Sequence, residues 1–205
     1  KDRAVHIHYA DARAFVRNNE NKYDAVIINI PEVANLKTNR FYTEEFYGQL
    51  RRRLKPSGIL GLSIVSSENY LSTQTRIFNA SVYATLKSVF KAVEIIPGDI
   101  LMFLASSSQI DMQKEIILGR FNSRRISNHY LIPSYIEYKL EAKRRAELKK
   151  ILENTPGVEI NRDFAPTTCY YFTNFWLNKF ASPLGYLAVP VLFIAIALAI
   201  FKKRR

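Results

Sequence analysis

Two apolar runs of the chain, residues 93–96 and 101–105, are separated only by Pro97-Gly98-Asp99-Ile100. A connection that short joins antiparallel strands; crossing over a sheet to a parallel partner takes a dozen residues or more. What precedes it makes the constraint sharp. Val5-His6-Ile7-His8-Tyr9 reads as a short strand, and Asp11 opens a helix reaching residue 18. Ala25-Val26-Ile27-Ile28-Asn29, bounded by Asp24 and Pro31, is a continuous apolar run of the kind covered on both faces in a parallel sheet. Thr43 caps a helix containing Phe46, Tyr47, Leu50 and Leu54, Pro56-Ser57-Gly58 ends it, and residues 59–65 form the next buried strand. Phe78, Val82, Leu86, Val89 and Phe90 recur at helical spacing. The order β-α-β-α-β-α predicts an open parallel sheet with right-handed crossovers. The short connection then requires that sheet to end in an antiparallel hairpin.

Beyond Ser106 the pattern predicts two polar helices, a break at Pro156-Gly157, a segment 161–166, and a Tyr-, Phe- and Trp-rich stretch over 170–180. Residues 184–201 contain no charge and are followed by Lys202-Lys203-Arg204-Arg205. At ~1.5 Å per residue that run is ~27 Å long, enough for a hydrocarbon core, and Pro190 is tolerated there more readily than in a soluble helix. A transmembrane helix with a basic end is expected. The aromatic stretch before it suits an interfacial belt or an amphipathic packing helix, and both readings stand.

The net charge of +12 invites a nucleic-acid reading. Four of those charges form the terminal cluster, and Lys139, Lys143, Arg144, Arg145, Lys149 and Lys150 are interleaved with Glu137, Glu141 and Glu147. That pattern fits a solvated helix face or one lying near anionic lipid headgroups. With no recognition helix, zinc spacing or aromatic RNA-binding signature, nucleic acid is not an expected partner. Cys169 stands alone, so an internal disulfide is excluded. His6 and His8 share one strand face and His129 has no partner at ligand spacing, so no metal is expected.

Ligands of open α/β sheets bind at the C-terminal ends of the strands. Three groups fall there: Asp11, residues 29–32, and residues 63–68. Asp11 can accept a hydrogen bond from an adenine amino group or serve simply as a helix N-cap. Asn29 and Glu32 bracket a turn in which Glu32 can hold a cationic substrate, or they cap a loop. Tyr42 lines a pocket or packs. Ser63, Ser66 and Ser67 lack histidine–acid partners nearby, which argues against a hydrolase.

Residues 5–106 resemble the second half of a polyamine aminopropyltransferase (spermidine synthase) domain. Tyr23-Asp24-Ala25-Val26-Ile27-Ile28 matches that family's central strand, and Asn29-Ile30-Pro31-Glu32-Val33 lies over its Asp-x-x-Asp-Pro stretch without a gap. Arg40-Phe41 and Phe46-Tyr47 follow at the expected positions, and Leu54-Lys55-Pro56-Ser57-Gly58-Ile59-Leu60 matches the Leu-Lys-Pro-Gly-Gly run. Closer still is the likeness to a bacterial subgroup fused to membrane helices. It is carried by Asn39-Arg40-Phe41-Tyr42-Thr43-Glu44-Glu45-Phe46, Val82-Tyr83-Ala84-Thr85-Leu86, Pro97-Gly98-Asp99 and Asn161-Arg162-Asp163-Phe164-Ala165-Pro166.

The resemblance implies a class I methyltransferase-like (Rossmann-like) α/β sheet, incomplete at its N-terminus and ending in the antiparallel hairpin. Residues 1–108 would form the C-terminal half of that domain, 109–182 a helical extension with an aromatic juxtamembrane segment, and 183–205 the transmembrane helix. Decarboxylated S-adenosylmethionine or S-adenosylmethionine is the implied co-substrate, held by Asp11, Ala12 and Asn29, with no metal. A small-molecule amine is the implied acceptor, bound by Glu32, Phe41, Tyr42 and Asp99. Catalysis would fall to the position of Asn29, with Glu32 beside it. Two departures bear on chemistry. The family's first motif aspartate, which takes the amine's proton and attracts its charge, is Asn29, and a neutral amide does neither. Ile95-Ile96-Pro97-Gly98-Asp99 replaces a polyamine-binding Pro-Thr-Tyr-Pro-type segment. The subgroup also implies a bacterial inner-membrane location, contact with membrane lipid, a cytoplasmic soluble domain, and further transmembrane segments before Lys1. The alternative is an adenosyl-ligand-binding or structural membrane-associated domain without catalysis.

Overall fold

The computed structural model describes residues 5–30, 33–68, 70–125 and 130–180. The first helix, α1 (Ala12–Asn18), opens where the Asp11 carboxylate accepts the Ala14 N–H at 3.0 Å. Strand β1 (Tyr23–Ile28) follows, then the single turn α2 (Leu36–Asn39) and α3 (Glu44–Arg53). Thr43 caps α3 through its hydroxyl, with Glu44 and Glu45 in the first turn and Arg51, Arg52 and Arg53 in the last. Those charges oppose both ends of the helix dipole. Next come β2 (Leu54–Val65), α4 (Thr73–Val89) capped by Ser72, β3 (Ala92–Ile96) and β4 (Ile100–Ser106). Four helices complete the described chain: α5 (Lys114–Ser123), α6 (Pro133–Lys139), α7 (Ala142–Glu153) and α8 (Thr167–Phe180).

The sheet order is β1-β2-β4-β3. β1 and β2 are parallel, while β4 is antiparallel to both neighbours, with Leu62 opposite Phe103 on one side and Ile95 opposite Phe103 on the other. The return strand of the hairpin therefore sits between β2 and β3. Leu60, Leu62 and Ile64 of β2 and Leu101, Phe103 and Ala105 of β4 are buried on one face. Phe78, Val82 and Leu86 of α4 and Phe46, Tyr47 and Leu50 of α3 complete that core. The period-2 pattern of the strands meets the period-3.6 pattern of α4 there.

Several expectations need correcting. Residues 5–9 form no strand: Val5, Ile7 and Tyr9 are 61%, 66% and 97% exposed. A strand must find a neighbour for its N–H and C=O groups, and among the described residues β1 pairs only with β2. Pro56-Ser57-Gly58 does not end α3; the strand already begins at Leu54, and the register jumps from Tyr23↔Leu54 to Ala25↔Ile59. The extra residues bulge out, a place where a proline without an N–H is tolerated. A Cβ on Gly58 would lie 2.9 Å from the Tyr23 carbonyl oxygen, so glycine alone permits the return to register. Three helices, rather than two, separate β4 from residue 160.

The basic run is not a free face. Lys139 and Arg144 reach Glu68 at 3.4 and 2.7 Å, while Arg145 and Lys149 reach Glu94 at 3.6 and 3.0 Å. The aromatic stretch divides: Phe172 and Phe175 of α8 are 1% and 8% exposed within the core, and Tyr170 is 64% exposed. The Phe172 ring lies 5.1 Å from that of Phe78, and the Thr168 and Ser81 hydroxyls are 2.8 Å apart. Residues 184–201, where the membrane helix is expected, lie outside the described residues. Among the described residues no helix is long and apolar enough to cross a membrane.

Phe172→Ala should therefore cost ~3–4 kcal/mol of folding stability, as for other buried phenylalanines. Tyr170→Ala should stay within ~0.5 kcal/mol of the native chain. Urea unfolding of the two variants checks this, and equal effects would refute the packing role of α8.

Candidate functional site at the ends of the parallel strands

The C-terminal ends of β1 and β2 border a cavity of about 160 Å³ lined by Ile30, Val33, Tyr42, Ser63, Phe78 and Ile100 among others. Tyr42 is 1% exposed, and its hydroxyl donates to the Ile30 carbonyl at 3.4 Å. One side chain thus lines the cavity and holds the chain leaving β1. Asn29 follows the last residue of β1 and is exposed, with no side-chain hydrogen bond to other described residues. Glu32 lies outside the described residues.

Asp11 and the exposed Ala12 stand at the N-terminus of α1. The second carboxylate oxygen of Asp11 accepts from the Arg40 guanidinium. The Ala14 N–H, followed by Arg40, holds the Asp11 carboxyl below its ordinary range. Arg40 also stacks 5.0 Å from the centre of the Phe41 ring, which meets Phe46 edge-on at 5.5 Å. Asp11, Arg40 and Phe41 form one contiguous chain of contacts, whereas Asp99 stands at the end of β2. Its backbone carbonyl accepts from Ser66 at 2.8 Å and its carboxylate from the Glu68 N–H at 2.9 Å. Asp99 thereby braces the loop leaving β2. The buried Asn79 supports the same loop: its amide oxygen accepts from the Ser66 hydroxyl at 2.7 Å and its nitrogen donates to the Val65 carbonyl at 3.1 Å.

Sequence reasoning noticed the 161–166 segment without assigning it a part. Asn161 is fully buried, donating to Asn39 Oδ1 at 3.1 Å and the Tyr42 carbonyl at 3.0 Å, and accepting from the Thr168 N–H at 3.2 Å. Asp163 takes both guanidinium nitrogens of Arg13 at 2.8 Å and the Thr43 hydroxyl at 2.8 Å. Arg13, then Thr43, hold its carboxyl below the ordinary range. These two residues clamp α1, the 39–43 turn and α8 together, which fixes where Phe41 and Tyr42 stand. The available signal was three polar residues in a row just ahead of Pro166.

Glu68 was also unremarked beyond its place in a polar loop. It accepts from the Tyr138 hydroxyl at 2.6 Å and from Arg144 at 2.7 Å, and its carboxyl is held down to about 2, chiefly by Tyr138 and Arg144. The helices beyond the hairpin thus hold the loop that leaves β2.

A parallel pair of strands extended by an inserted antiparallel strand makes a mixed α/β sheet, a fold shared with solved spermidine synthases. Residues 1–109 match the spermine/spermidine synthase domain, and the chain belongs to that family. A polyamine aminopropyltransferase of Sulfolobus acidocaldarius is 26% identical over 177 residues, covering 76% of this chain and 57% of its own length. One from Oceanobacillus iheyensis is 28% identical over 94 residues, which make up 46% of this chain and 17% of that protein. Among solved structures, a spermidine synthase in complex with the transition-state analogue AdoDATO superposes with a TM-score of 0.57 at 19% identity. That match covers 74% of this chain and 52% of the other. The spermidine synthase of Thermotoga maritima gives 0.52 at 18% identity, over 70% and 48% of the two chains. The chain therefore spans only part of each relative's length.

The Glu68 contacts predict an acid limb of stability. A carboxyl whose folded pKa is depressed binds its proton first in the unfolded chain, so its contribution is complete above about 4.5 and disappears as pH falls toward 2. Thermal melting of Glu68→Gln should show a shallower fall in Tm across that window than the native chain. Parallel curves would contradict the assignment.

Proposed function

We propose that the chain is the C-terminal part of a membrane-anchored, spermidine synthase-like transferase. In this reading it binds decarboxylated S-adenosylmethionine or S-adenosylmethionine and moves an aminopropyl or related group to a small amine. The observation that carries it is the family match over residues 1–109, which include the loops after β1 and β2. The amine nitrogen attacks the carbon next to the sulfonium, the carbon–sulfur bond breaks toward sulfur, and the new ammonium loses a proton. Asp11 serves the adenine amino group, which competes with Arg40 for its outer oxygen. Phe41 and Tyr42 form the wall beside the acceptor, and Glu32 supplies the carboxylate that Asn29 lacks.

A second reading, adenosyl-ligand binding without turnover, is favoured by one observation. Asn29 is neutral, while Asp99 and Glu68 are both engaged within the loop after β2. Calorimetric titration of the full-length protein with decarboxylated S-adenosylmethionine, S-adenosylmethionine and methylthioadenosine separates the readings. Micromolar binding is expected. Asp11→Asn, which keeps the cap, should weaken it about tenfold, the scale of one charge-assisted hydrogen bond. If the protein transfers, Asn29→Asp should raise turnover with a diamine acceptor by about 10²-fold or more. Binding with no turnover in either form selects the second reading, and no adenosyl binding at all sinks both.

Membrane attachment rests on residues 184–201 and the basic end that follows. We place the protein in the bacterial inner membrane with its α/β domain on the cytoplasmic side, further transmembrane segments of the same protein preceding it. The full-length protein should stay in carbonate-washed membranes. Its α/β domain should resist protease added to intact spheroplasts; digestion there would reverse the orientation.

A further inference from the structure

Behind the β3–β4 hairpin lies a second cavity, of about 700 Å³, sharing only Ile100 with the one at the strand ends. The face of the sheet opposite α4 forms one wall, with Ile96, Met102 and Leu104; α5 and α6 form the other, with Ile117, Phe121 and Tyr135. Most of these walls lie beyond residue 109, outside the family match. The volume falls in the range of small-molecule sites, which are largely apolar with a few convergent polar groups.

Those polar groups gather at one end: Glu68, Asp99, Tyr138 and Lys139. The chain itself shows what this end accepts. Lys139 reaches in from the last turn of α6, donating to the Pro97 carbonyl at 3.2 Å and to Glu68 at 3.4 Å. Its ammonium lies 5.6 and 5.5 Å from the ring centres of Tyr135 and Tyr138. A carboxylate, a carbonyl and two aromatic rings around one ammonium make a recognition set for an alkylammonium ion. Gly98 shapes the seat, since a Cβ there would lie 2.7 Å from the Lys139 nitrogen.

The seat does not depend on its present occupant. Glu68 is tied more closely by Arg144, at 2.7 Å, and by Tyr138, at 2.6 Å, and would remain in place if Lys139 withdrew. With Lys139 in place, the two acids at this end, Glu68 and Asp99, are matched in number by Lys139 and Arg144, the pair that reaches Glu68, and the end is neutral. Without it the end carries one net negative charge, open to a cation. Among the described residues the remaining walls hold no second acid, so a ligand with an ammonium at both ends would bury one of them unpaired, at high cost.

We propose that this cavity binds primary alkylamines that carry one ammonium and an apolar body. The ammonium takes the place of Lys139 between Glu68, the Pro97 carbonyl and the Tyr135 ring. The body lies along Met102, Leu104, Ile117 and Phe121. Lys139 is thus an internal competitor that keeps the site closed. The site uses no adenosyl compound and stands apart from the transferase reading.

Full-length protein in lipid nanodiscs, titrated calorimetrically with hexylamine against empty nanodiscs, tests this. Lys139→Met keeps the stem and removes the ammonium, and should bind hexylamine at least tenfold more tightly than the native protein. Adding Glu68→Gln or Gly98→Ala to Lys139→Met should return affinity to the native level, with thermal melting confirming that each variant is folded. On Lys139→Met, 1-hexanol and 1,6-diaminohexane should bind at least tenfold more weakly than hexylamine. Equal affinity of the native and Lys139→Met proteins overturns the proposal. So does undiminished binding in either double variant, or hexanol or the diamine matching hexylamine.

Discussion

The antiparallel ladder between β2 and β4, from Ile59↔Ser106 to Val65↔Ile100, is the interaction on which the rest of the molecule depends. It places the hairpin's return strand in the middle of the sheet and so determines both of its faces. On one, Leu101, Phe103 and Ala105 close against α4. On the other, Met102 and Leu104 become the wall of a large apolar cavity. The ladder ends where Asp99 meets the loop leaving β2, so the same pairing that builds the core also fixes the polar rim at the strand ends. A slip of one residue would exchange these faces and lose both.

Around this frame, long-range polar contacts gather distant parts of the chain. Asn161 and Asp163 join α1, the 39–43 turn and α8, while Glu68 and Glu94 collect the cations of α6 and α7. Isolated exposed ion pairs contribute little. Those at Asp163 and Glu68 differ in that each carboxylate takes several donors at once, with side-chain exposures of 27% and 23%. Their effect is geometric: Asp163 ties α1 to the 39–43 turn, and Glu68 ties the loop leaving β2 to α6 and α7. Helices α6 and α7, beyond the family-matched region, are therefore tied to the loop leaving β2 by direct hydrogen bonds.

Much of the α/β framework is legible in the sequence. Asp11, Thr43 and Ser72 open helices because a short polar side chain satisfies a free N–H of the first turn, a purely local effect. The hairpin followed from the length of a single connection. Residues 5–9 misled because alternation records a preference for an extended backbone and says nothing of whether a neighbour exists to pair with it. Pro56-Ser57-Gly58 misled because its local signal is a stop, and the ladder with β1 absorbs it as a bulge.

At the candidate site the division is similar. The sequence, by pattern and by family resemblance together, pointed to Asp11, Asn29, Glu32, Phe41, Tyr42 and Asp99, which follow apolar runs, open helices or match a family motif. It could not place Asp99 against the loop leaving β2, nor give Glu68 and Asn161 a role, since their partners lie tens of residues away. What the sequence by itself determined is therefore the set of elements, the caps that start them and the hairpin that ends the sheet, all consequences of interactions within a few residues. Only the tertiary structure decided which cations meet which carboxylates, which aromatic rings of α8 are buried, and that Lys139 enters an apolar cavity. Those outcomes depend on packing between elements far apart in the chain, and no local pattern encodes them.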